Sequence, residues 1–318
     1  MYAGPTEPKA EPEAESTTAG QTEPMATTHS EPKARAVGLL GTGLIDPSIP
    51  ALHPDDLGLT RGDGCFEATR VRTDPAGVHR VDHLPEHLDR FDVSCAGLDL
   101  PPIDRVAWCD LIDEVLASWR YQGEAILKLM LSRGRESRPG GPITGLVTLT
   151  SMSPETLRQR RDGVDAITLC RGYSSQSFAD ARWLLGGIKT LSYAVNVAAT
   201  REALRRGAQD VVFTSTDGYL LEAPTATLVW LTGRLLHTTS WDGTGVLASI
   251  TQQALFRAAE HDGFHTEHCL GTLADLQSAD GAWLVSSGRG IAQLRSLDGQ
   301  PLPVDPAATA RLSALAGF

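Results

Sequence analysis

The chain has 318 residues, of which 41% are hydrophobic and 21% charged, so it can bury the core of one large domain or of two ordinary ones. Its 28 Lys and Arg against 39 Asp and Glu give a net charge of −11, which argues against a nucleic-acid binder, because polyanions attract basic surfaces. No apolar run reaches the roughly 18 residues of a membrane span. Five scattered cysteines favour reduced thiols in the cytoplasm.

The first 35 residues differ in composition from the rest. They hold five prolines and six glutamates but no Leu, Ile, Val, Phe or Trp. Such a segment cannot bury enough apolar surface to offset the entropy lost on ordering. It also lacks the apolar core of a signal peptide. We therefore expect residues 1–35 to form a disordered tail.

Ordered structure is expected from about residue 36, and residues 36–153 would form a small N-terminal domain. Alternating apolar residues predict strands, and apolar residues three or four apart predict helices. A Gly/Pro/Arg-rich loop is expected at 133–142. The predicted strands are 65–72, 78–81, 124–132 and 145–150, and the predicted helices are 84–96 and 103–119.

A polar, charged stretch at 154–165 predicts an interdomain linker, followed by a larger domain over 166–318. Strands and helices mix there without strict alternation, which favours an α+β fold of two domains over one doubly wound sheet. The predicted elements are strands 166–171 and 210–215, helices 192–206 and 249–262, and hairpins 219–236 and 282–295, the last of which would end the fold.

Two kinds of site are not supported by the spacing of the residues that would form them. The run from Gly186 to Thr190 lacks the Gly-Lys pair of a phosphate loop, because Ile188 intervenes. His261, His265, His268 and Cys269 cluster, but Gly263 interrupts any helix and no zinc motif matches. We therefore expect neither an NTPase nor a metal centre.

Four segments taken in order are more specific than any one of them. They are 61–67 (RGDGCFE) followed by 87–91 (HLDRF), then 187–193 (GIKTLSY), 218–227 (GYLLEAPTAT) and 244–251 (TGVLASIT), which ends near Ser286, Ser287 and Gly288. The set resembles the fold-type IV pyridoxal-phosphate (PLP) enzymes: branched-chain aminotransferases, D-amino-acid aminotransferases and 4-amino-4-deoxychorismate lyases. The resemblance covers about residues 38–318. It implies a small α/β domain, a larger β-barrel-like domain and a homodimer.

The resemblance assigns a role to each motif. Lys189 would form the Schiff base with PLP and shuttle the substrate proton, a role that suits a lysine among apolar residues at a helix start, where a cation is unfavourable. Glu222 would hold the proton of the pyridine nitrogen, although a strand-end surface glutamate is the simpler interpretation. Tyr193 would lie near the phenolic oxygen of the cofactor or belong to the helix core. The cofactor phosphate would be bound by Arg90, by the amides of Ile250 and Thr251, and by the hydroxyls of Thr251 and Ser287.

Substrate choice depends on the loop at 132–138 (SRGRESR). Arg138 is the candidate for a substrate carboxylate, because a planar guanidinium pairs with both carboxylate oxygens. Arg133 and Arg135 are competitors, and a basic surface loop is the alternative. The stretches 62–66 and 221–230 resemble the lyases most. The expected reaction is the release of pyruvate and 4-aminobenzoate from aminodeoxychorismate, with a class IV aminotransferase as the alternative.

Overall fold

The computed structural model describes residues 35–318. The predicted disorder of the N-terminal tail therefore lies outside the described residues, apart from Arg35, which begins the first strand. Two β-sheets with separate hydrophobic cores make up the described chain. The arrangement confirms the mixed fold with two sheets that the sequence predicts. The domain boundaries at 153 and 166 stay a prediction.

The first sheet has six antiparallel strands in the order β2-β1-β6-β5-β3-β4. Three helices accompany it, and the longer two, α2 and α3, pack against β3 and against β1 and β6. The elements are β1 (Arg35–Leu39), β2 (Gly43–Ile45), α1 (Leu57–Thr60), β3 (Gly64–Thr73), β4 (His79–Val81), α2 (Leu84–Gly97), α3 (Arg105–Ser118), β5 (Gly123–Ser132) and β6 (Thr144–Ser151).

The second sheet has eight strands, seven of them in the order β11-β10-β9-β12-β13-β7-β8, with β14 paired to β13. Three pairs are parallel, namely β10 with β11, β13 with β7, and β7 with β8. The elements are α4 (Pro154–Asp162), β7 (Val164–Cys170), α5 (Ala194–Arg205), β8 (Asp210–Thr214), β9 (Thr227–Thr232), β10 (Leu235–Thr239), α6 (Ile250–His261), β11 (His265–Cys269), α7 (Leu273–Gln277), β12 (Gly281–Ser286), β13 (Gly290–Leu297), β14 (Gln300–Pro301) and α8 (Pro306–Leu315).

The helical spacing of α2 fixes the position of the first sheet's core. Leu88, Phe91 and Cys95 recur every three or four residues and are buried. The Phe91 ring meets the Trp108 ring of α3 edge to face, with centroids 5.2 Å apart. Because this face is buried, the polar residues of α2, including Arg90, are left toward its flanks and can reach other elements.

Three expectations differ from the structure in the region after β6. The predicted linker contains helix α4, which the Ser153 side chain caps by accepting a hydrogen bond from the Thr156 amide at 3.1 Å. The predicted hairpin 219–236 is β9 and β10 alone, so Glu222 lies in an irregular segment before the hairpin and not on it. The chain also continues past the last hairpin into α8, which Asp305 caps. Both helices begin at a capping side chain, which is a local sequence signal. Their apolar periodicity is weak, so a prediction from periodicity misses them.

No helix among residues 35–318 is long and apolar enough to cross a bilayer. All five cysteines are free thiols, in agreement with the sequence expectation. The sulfurs of Cys65 and Cys95 lie 3.6 Å apart inside the first core, within hydrogen-bond distance and without a disulfide.

Candidate active site

A cavity of about 790 Å³ opens between the two sheets. Its walls come from β3 and β5 of the first sheet, from the segment before α5, and from loops of the second sheet. Of the sequence-predicted residues, Arg90, Lys189, Tyr193, Glu222 and Ser287 line it. The structure therefore brings together side chains that lie up to almost 200 residues apart in the chain.

The segment that carries Lys189 is held along the start of β3. Strand β4 pairs only with the far end of β3, so the edge near Gly64 is free to bond to another chain segment. The Phe66 amide donates to the Lys189 carbonyl at 3.0 Å, and the Leu191 amide donates to the Gly64 carbonyl at 2.8 Å. Gly187 precedes the lysine with φ +73°, a left-handed conformation that favours glycine. These bonds fix the backbone from which the lysine side chain enters the cavity.

The Lys189 ammonium lies in a poorly solvated, cationic environment. Its Nζ is 4.5 Å from the centre of the Phe66 ring, and the Lys128 Nζ lies 5.7 Å from the same ring centre. Burial, followed by the positive charge of Arg90, lowers the pKa of Lys189 from 10.5 to about 8. The amine is therefore partly neutral near physiological pH, which a nucleophile and proton acceptor requires.

The Glu222 carboxyl shares this environment with the opposite effect. Burial raises its pKa from 4.5 to about 7, and the Leu247 amide, which donates to Oε2 at 3.3 Å, only partly offsets the rise. The surface that Glu222 retains faces the cavity. It is therefore not the exposed glutamate of the simpler sequence interpretation, but a carboxylate that faces the cavity and forms no ion pair within residues 35–318.

Arg90 forms the most strongly bonded cation of the site. Its Nε and Nη2 donate to the two oxygens of Glu67 at 2.8 and 2.7 Å, and its Nη1 donates to the Ala248 carbonyl at 2.8 Å. Burial opposes ionisation of Glu67, but hydrogen bonds from Arg90 and His87 outweigh it and lower its pKa to about 2. A guanidinium has five N–H groups, so two remain for an anion in the cavity.

The predicted phosphate residues meet at the start of α6. Thr251 Oγ1 lies 2.8 Å from Ser287 Oγ, and Ser287 Oγ lies 3.3 Å from His87 Nε2. Ser249 caps α6 by accepting from the Gln252 amide, which leaves the first-turn amides of Ile250 and Thr251 outside the helical bonding pattern. Neither Ile250 nor Thr251 is among the residues that line the cavity, so their part in phosphate binding stays a prediction.

Tyr193 ends the lysine segment at the N-cap of α5. Its ring packs edge to face on Phe66 at 5.2 Å and lines the cavity. Burial, followed by the charge of Glu222, raises the pKa of its phenol to about 12, so the hydroxyl keeps its proton and can donate a hydrogen bond. Of the two sequence interpretations, a place at the cavity agrees with this geometry better than a place in the helix core.

The structure does not bring Arg138 to the cavity of its own chain. Arg138 is exposed in the loop after β5, outside the residues that line the cavity. Its two competitors are already paired, Arg133 with Asp63 at 2.7 Å and Arg135 with Asp55 at 2.9 Å. The role of Arg138 in substrate binding therefore stays a prediction. For this role, Arg138 would have to reach the cavity of a second subunit.

Sequence reasoning missed several cavity residues. In the sequence, Lys128 of β5 is one polar position in an alternating strand. In the structure it lines the cavity, and burial lowers its pKa. Among residues 35–318, its amine forms no ion pair or hydrogen bond. Arg171 follows β7, donates from Nε to the Tyr173 hydroxyl at 2.9 Å, and lies over the Phe213 ring at 4.6 Å. The alternation that predicts β5 also places Lys128 on the face opposite the buried leucines, which is the one signal that could have found it.

Comparison with known proteins identifies the family. The profile of class IV aminotransferases matches residues 64–297, which contain every candidate site residue. The chain belongs to the class IV aminotransferase family. This class IV chain is 39% identical over 275 residues, 83% of its own length and 92% of the relative's, to a bifunctional aminodeoxychorismate lyase / D-amino acid transaminase of Mycobacterium tuberculosis (strain ATCC 25618 / H37Rv).

Two solved structures share the fold of this class IV chain closely. A hypothetical aminotransferase from Mycobacterium tuberculosis in its PLP-bound form is 38% identical, with a TM-score of 0.83 over 89% of this chain and 98% of that one. A fold IV transaminase from Curtobacterium pusillum is also 38% identical, with a TM-score of 0.83 over 90% of this chain and all of that one. The overall fold and the family resemblance drawn from the sequence are thereby confirmed.

The lowered pKa of Lys189 gives a prediction about covalent attachment of PLP. The neutral amine is the nucleophile, so the attachment rate to cofactor-free protein should rise about tenfold per pH unit up to about pH 8 and then level off. Stopped-flow absorbance after mixing with PLP, with borohydride trapping and peptide mapping, measures it. The Lys189→Ala variant is the control. A rate that keeps climbing toward the ordinary lysine pKa of 10.5 would contradict the desolvated amine.

Proposed function

We propose that the protein is a cytoplasmic 4-amino-4-deoxychorismate lyase that releases pyruvate and 4-aminobenzoate for folate synthesis. The observation that carries the proposal is the joint presence at one cavity of a desolvated Lys189 amine and a buried Glu222 carboxyl, in a chain of this family. The name of the Mycobacterium tuberculosis relative supports the lyase reaction and, equally, a second candidate, D-amino acid transamination.

The cofactor of this family is PLP, which, when bound, supplies an aldehyde and an electron-withdrawing ring. The residues at the cavity fit it, because a reactive amine, an acid and an anion-binding cup occur together. Lys189 would hold it covalently and Glu222 would hold a proton on the ring nitrogen. Tyr193 would donate to its phenolic oxygen. Arg90, the hydroxyls of Thr251 and Ser287, and the amides of Ile250 and Thr251 would bind its phosphate.

Lys189 would also perform the proton transfer. Once the substrate amine displaces it, its neutral amine accepts the proton from the amino-bearing ring carbon of the substrate. Loss of that proton, with expulsion of the enolpyruvyl group, makes the ring aromatic, and the leaving group takes up a proton to become pyruvate. Aromatisation makes the step favourable, so the protein has to orient the C–H bond toward Lys189 and to hold the substrate carboxylates.

An assay without an amino acceptor separates the two candidate reactions. With aminodeoxychorismate and no added 2-oxo acid, we expect equal amounts of pyruvate and 4-aminobenzoate over many turnovers. Both products must be measured, because transamination of D-alanine also forms pyruvate. The Lys189→Ala variant should form neither. If aminodeoxychorismate is consumed only when a 2-oxo acid is added, the lyase assignment is wrong, and D-alanine with 2-oxoglutarate becomes the assay of choice.

We infer that Lys128 binds a substrate carboxylate, because its amine lies at the cavity beside Phe66 without an internal anion. A charged hydrogen bond contributes about 1.5–3 kcal/mol, so Lys128→Met should raise KM by roughly 10- to 100-fold and change kcat less. Steady-state kinetics measures the split. An unchanged KM would rule out this role.

The Arg138→Leu variant is the matched control for Lys128→Met. Arg138 is exposed outside the cavity of its own chain, so an unchanged KM in this variant removes it from substrate recognition. A raised KM would instead place Arg138 at the cavity of a second subunit. Either result decides the prediction that the sequence makes for this loop.

We further propose a homodimer, because large apolar side chains stay exposed beside the cavity. Trp183 is 78% exposed, and Val195 and Leu204 of α5 are 59% and 57% exposed. Large apolar side chains left exposed in this way can belong to an interface between subunits. Light scattering should give twice the mass of the chain, and Trp183→Glu should shift the protein toward the monomer. A wild-type protein that is monomeric at micromolar concentration would contradict the proposal.

A further inference from the structure

A cluster of side chains of the kinds that ligate metals lies outside the cavity, on the edge of the eight-stranded sheet. His237 of β10 lies opposite Glu267 of the parallel strand β11, and Cys269 follows on the same face of β11. One ligand atom from each of the three side chains lies within 4.8 Å of the other two. We propose that His237, Glu267 and Cys269 bind a thiophilic divalent ion, Zn²⁺, at this edge.

The distances between the three side chains suit tetrahedral coordination. Zn–N, Zn–O and Zn–S bonds of about 2.0 to 2.3 Å place neighbouring ligand atoms about 3.3 to 3.6 Å apart. His237 Nδ1 lies 3.1 Å from Glu267 Oε2 and 3.7 Å from Cys269 Sγ. The Glu267 side chain is 51% exposed and free to rotate, so small side-chain movements complete the set. A water would take the fourth position.

The surroundings hold His237 in place and add negative charge. The Trp230 ring stacks on the imidazole with centroids 5.2 Å apart and planes 13° apart, which restricts the plane of the His237 ring. The carboxylates of Glu267 and of Asp275 on α7 repel negative charge on the Cys269 thiol. A dication would relieve this repulsion, and its coordination would release the thiol proton to solvent as the Zn–S bond forms.

The donor set selects the ion. A thiolate with an imidazole and one carboxylate suits Zn²⁺ and its spectroscopic substitute Co²⁺, whereas Mg²⁺ and Ca²⁺ prefer oxygen ligands only. The sequence spacing does not predict a zinc site, because zinc motifs join residues close together in the chain, such as those from His261 to Cys269. Of that group only Cys269 belongs to the cluster, while His268 points to the other face and packs on Trp241 and Phe256. His237 comes from a different strand and could not be seen from spacing.

Titration of the tag-free, reduced, PLP-loaded protein with Zn²⁺ tests the site. Calorimetry in two buffers should give one ion per chain and one released proton. Co²⁺ should produce the charge-transfer band of a cobalt–thiolate bond in difference spectra. Cys269→Ser and His237→Gln should weaken Zn²⁺ binding by at least about 100-fold, which is more than the loss of a residue that only hydrogen-bonds to a metal ligand causes. Glu267→Gln changes an exposed position that folding tolerates, and it should weaken Zn²⁺ binding too.

Two variants serve as matched controls. Cys170→Ser removes an exposed thiol elsewhere in the chain, and His268→Gln removes the imidazole between Glu267 and Cys269 that faces the other way. Both should bind Zn²⁺ as the wild type does. Binding that survives Cys269→Ser, binding that disappears in Cys170→Ser, or no binding by wild type whose thiols are reduced would each overturn the proposal.

Discussion

The chemistry of the cavity depends on the burial of two ionisable side chains, Lys189 and Glu222, at one place. Desolvation moves their pKa values toward each other, to about 8 and about 7. Between pH 4.5 and 7 the folded chain binds more protons at Glu222 than the unfolded chain, so this group costs stability as pH rises. Between pH 10.5 and 8 the folded chain binds fewer protons at Lys189, so that group costs stability as pH falls. At about 1.4 kcal/mol per pKa unit, each group destabilises the cofactor-free protein by roughly 3 kcal/mol near pH 7.5.

The same burial explains why the cavity favours one kind of ligand. A group that bonds covalently to the amine of Lys189 and offers a protonated ring nitrogen to Glu222 removes both penalties when it binds. Binding then stabilises the folded chain by mass action in addition to supplying the chemistry. The burial of Lys189 and Glu222 therefore both destabilises the cofactor-free protein and favours binding of the cofactor.

A charged network joins the proposed phosphate-binding cup, formed by Arg90, Thr251 and Ser287, to both sheets. Glu67 of β3 accepts from Arg90 and from His87 Nδ1, the latter at 2.7 Å, while the other ring nitrogen of His87 faces Ser287 beyond β12. Burial lowers the pKa of His87 despite Glu67, so the neutral imidazole with its proton on Nδ1 fits both contacts. Removing either partner of such a buried pair leaves an uncompensated charge, and so the cup is held as a unit.

The sequence predicts the parts of this site that local chemistry determines and misses those set by packing. Alternation and helical spacing locate β3, β5 and α2, and the ordered motifs locate Lys189, Glu222 and Arg90, which all line the cavity. Sequence patterns cannot show that Glu67 binds Arg90, because only the packing of α2 on β3 brings these two residues together. Short polar strands such as β11 carry no apolar pattern. For Arg138 the motif fixes the residue type, but its part in substrate binding stays a prediction, because the residue lies outside the cavity of its own chain.

The charges that line the cavity narrow the choice of substrate further. Arg90 is paired with Glu67, and Arg289 lies 2.6 Å from Asp210, so both positive charges already have internal anions. Among residues 35–318, Lys128 has no such partner, and the Nη1 of Arg171 is buried without a hydrogen bond. Unpaired buried cations are costly unless a ligand supplies the anion. Under the proposed function, a substrate with more than one carboxylate, such as aminodeoxychorismate, would satisfy both cations, whereas the single carboxylate of D-alanine would leave one of them unpaired.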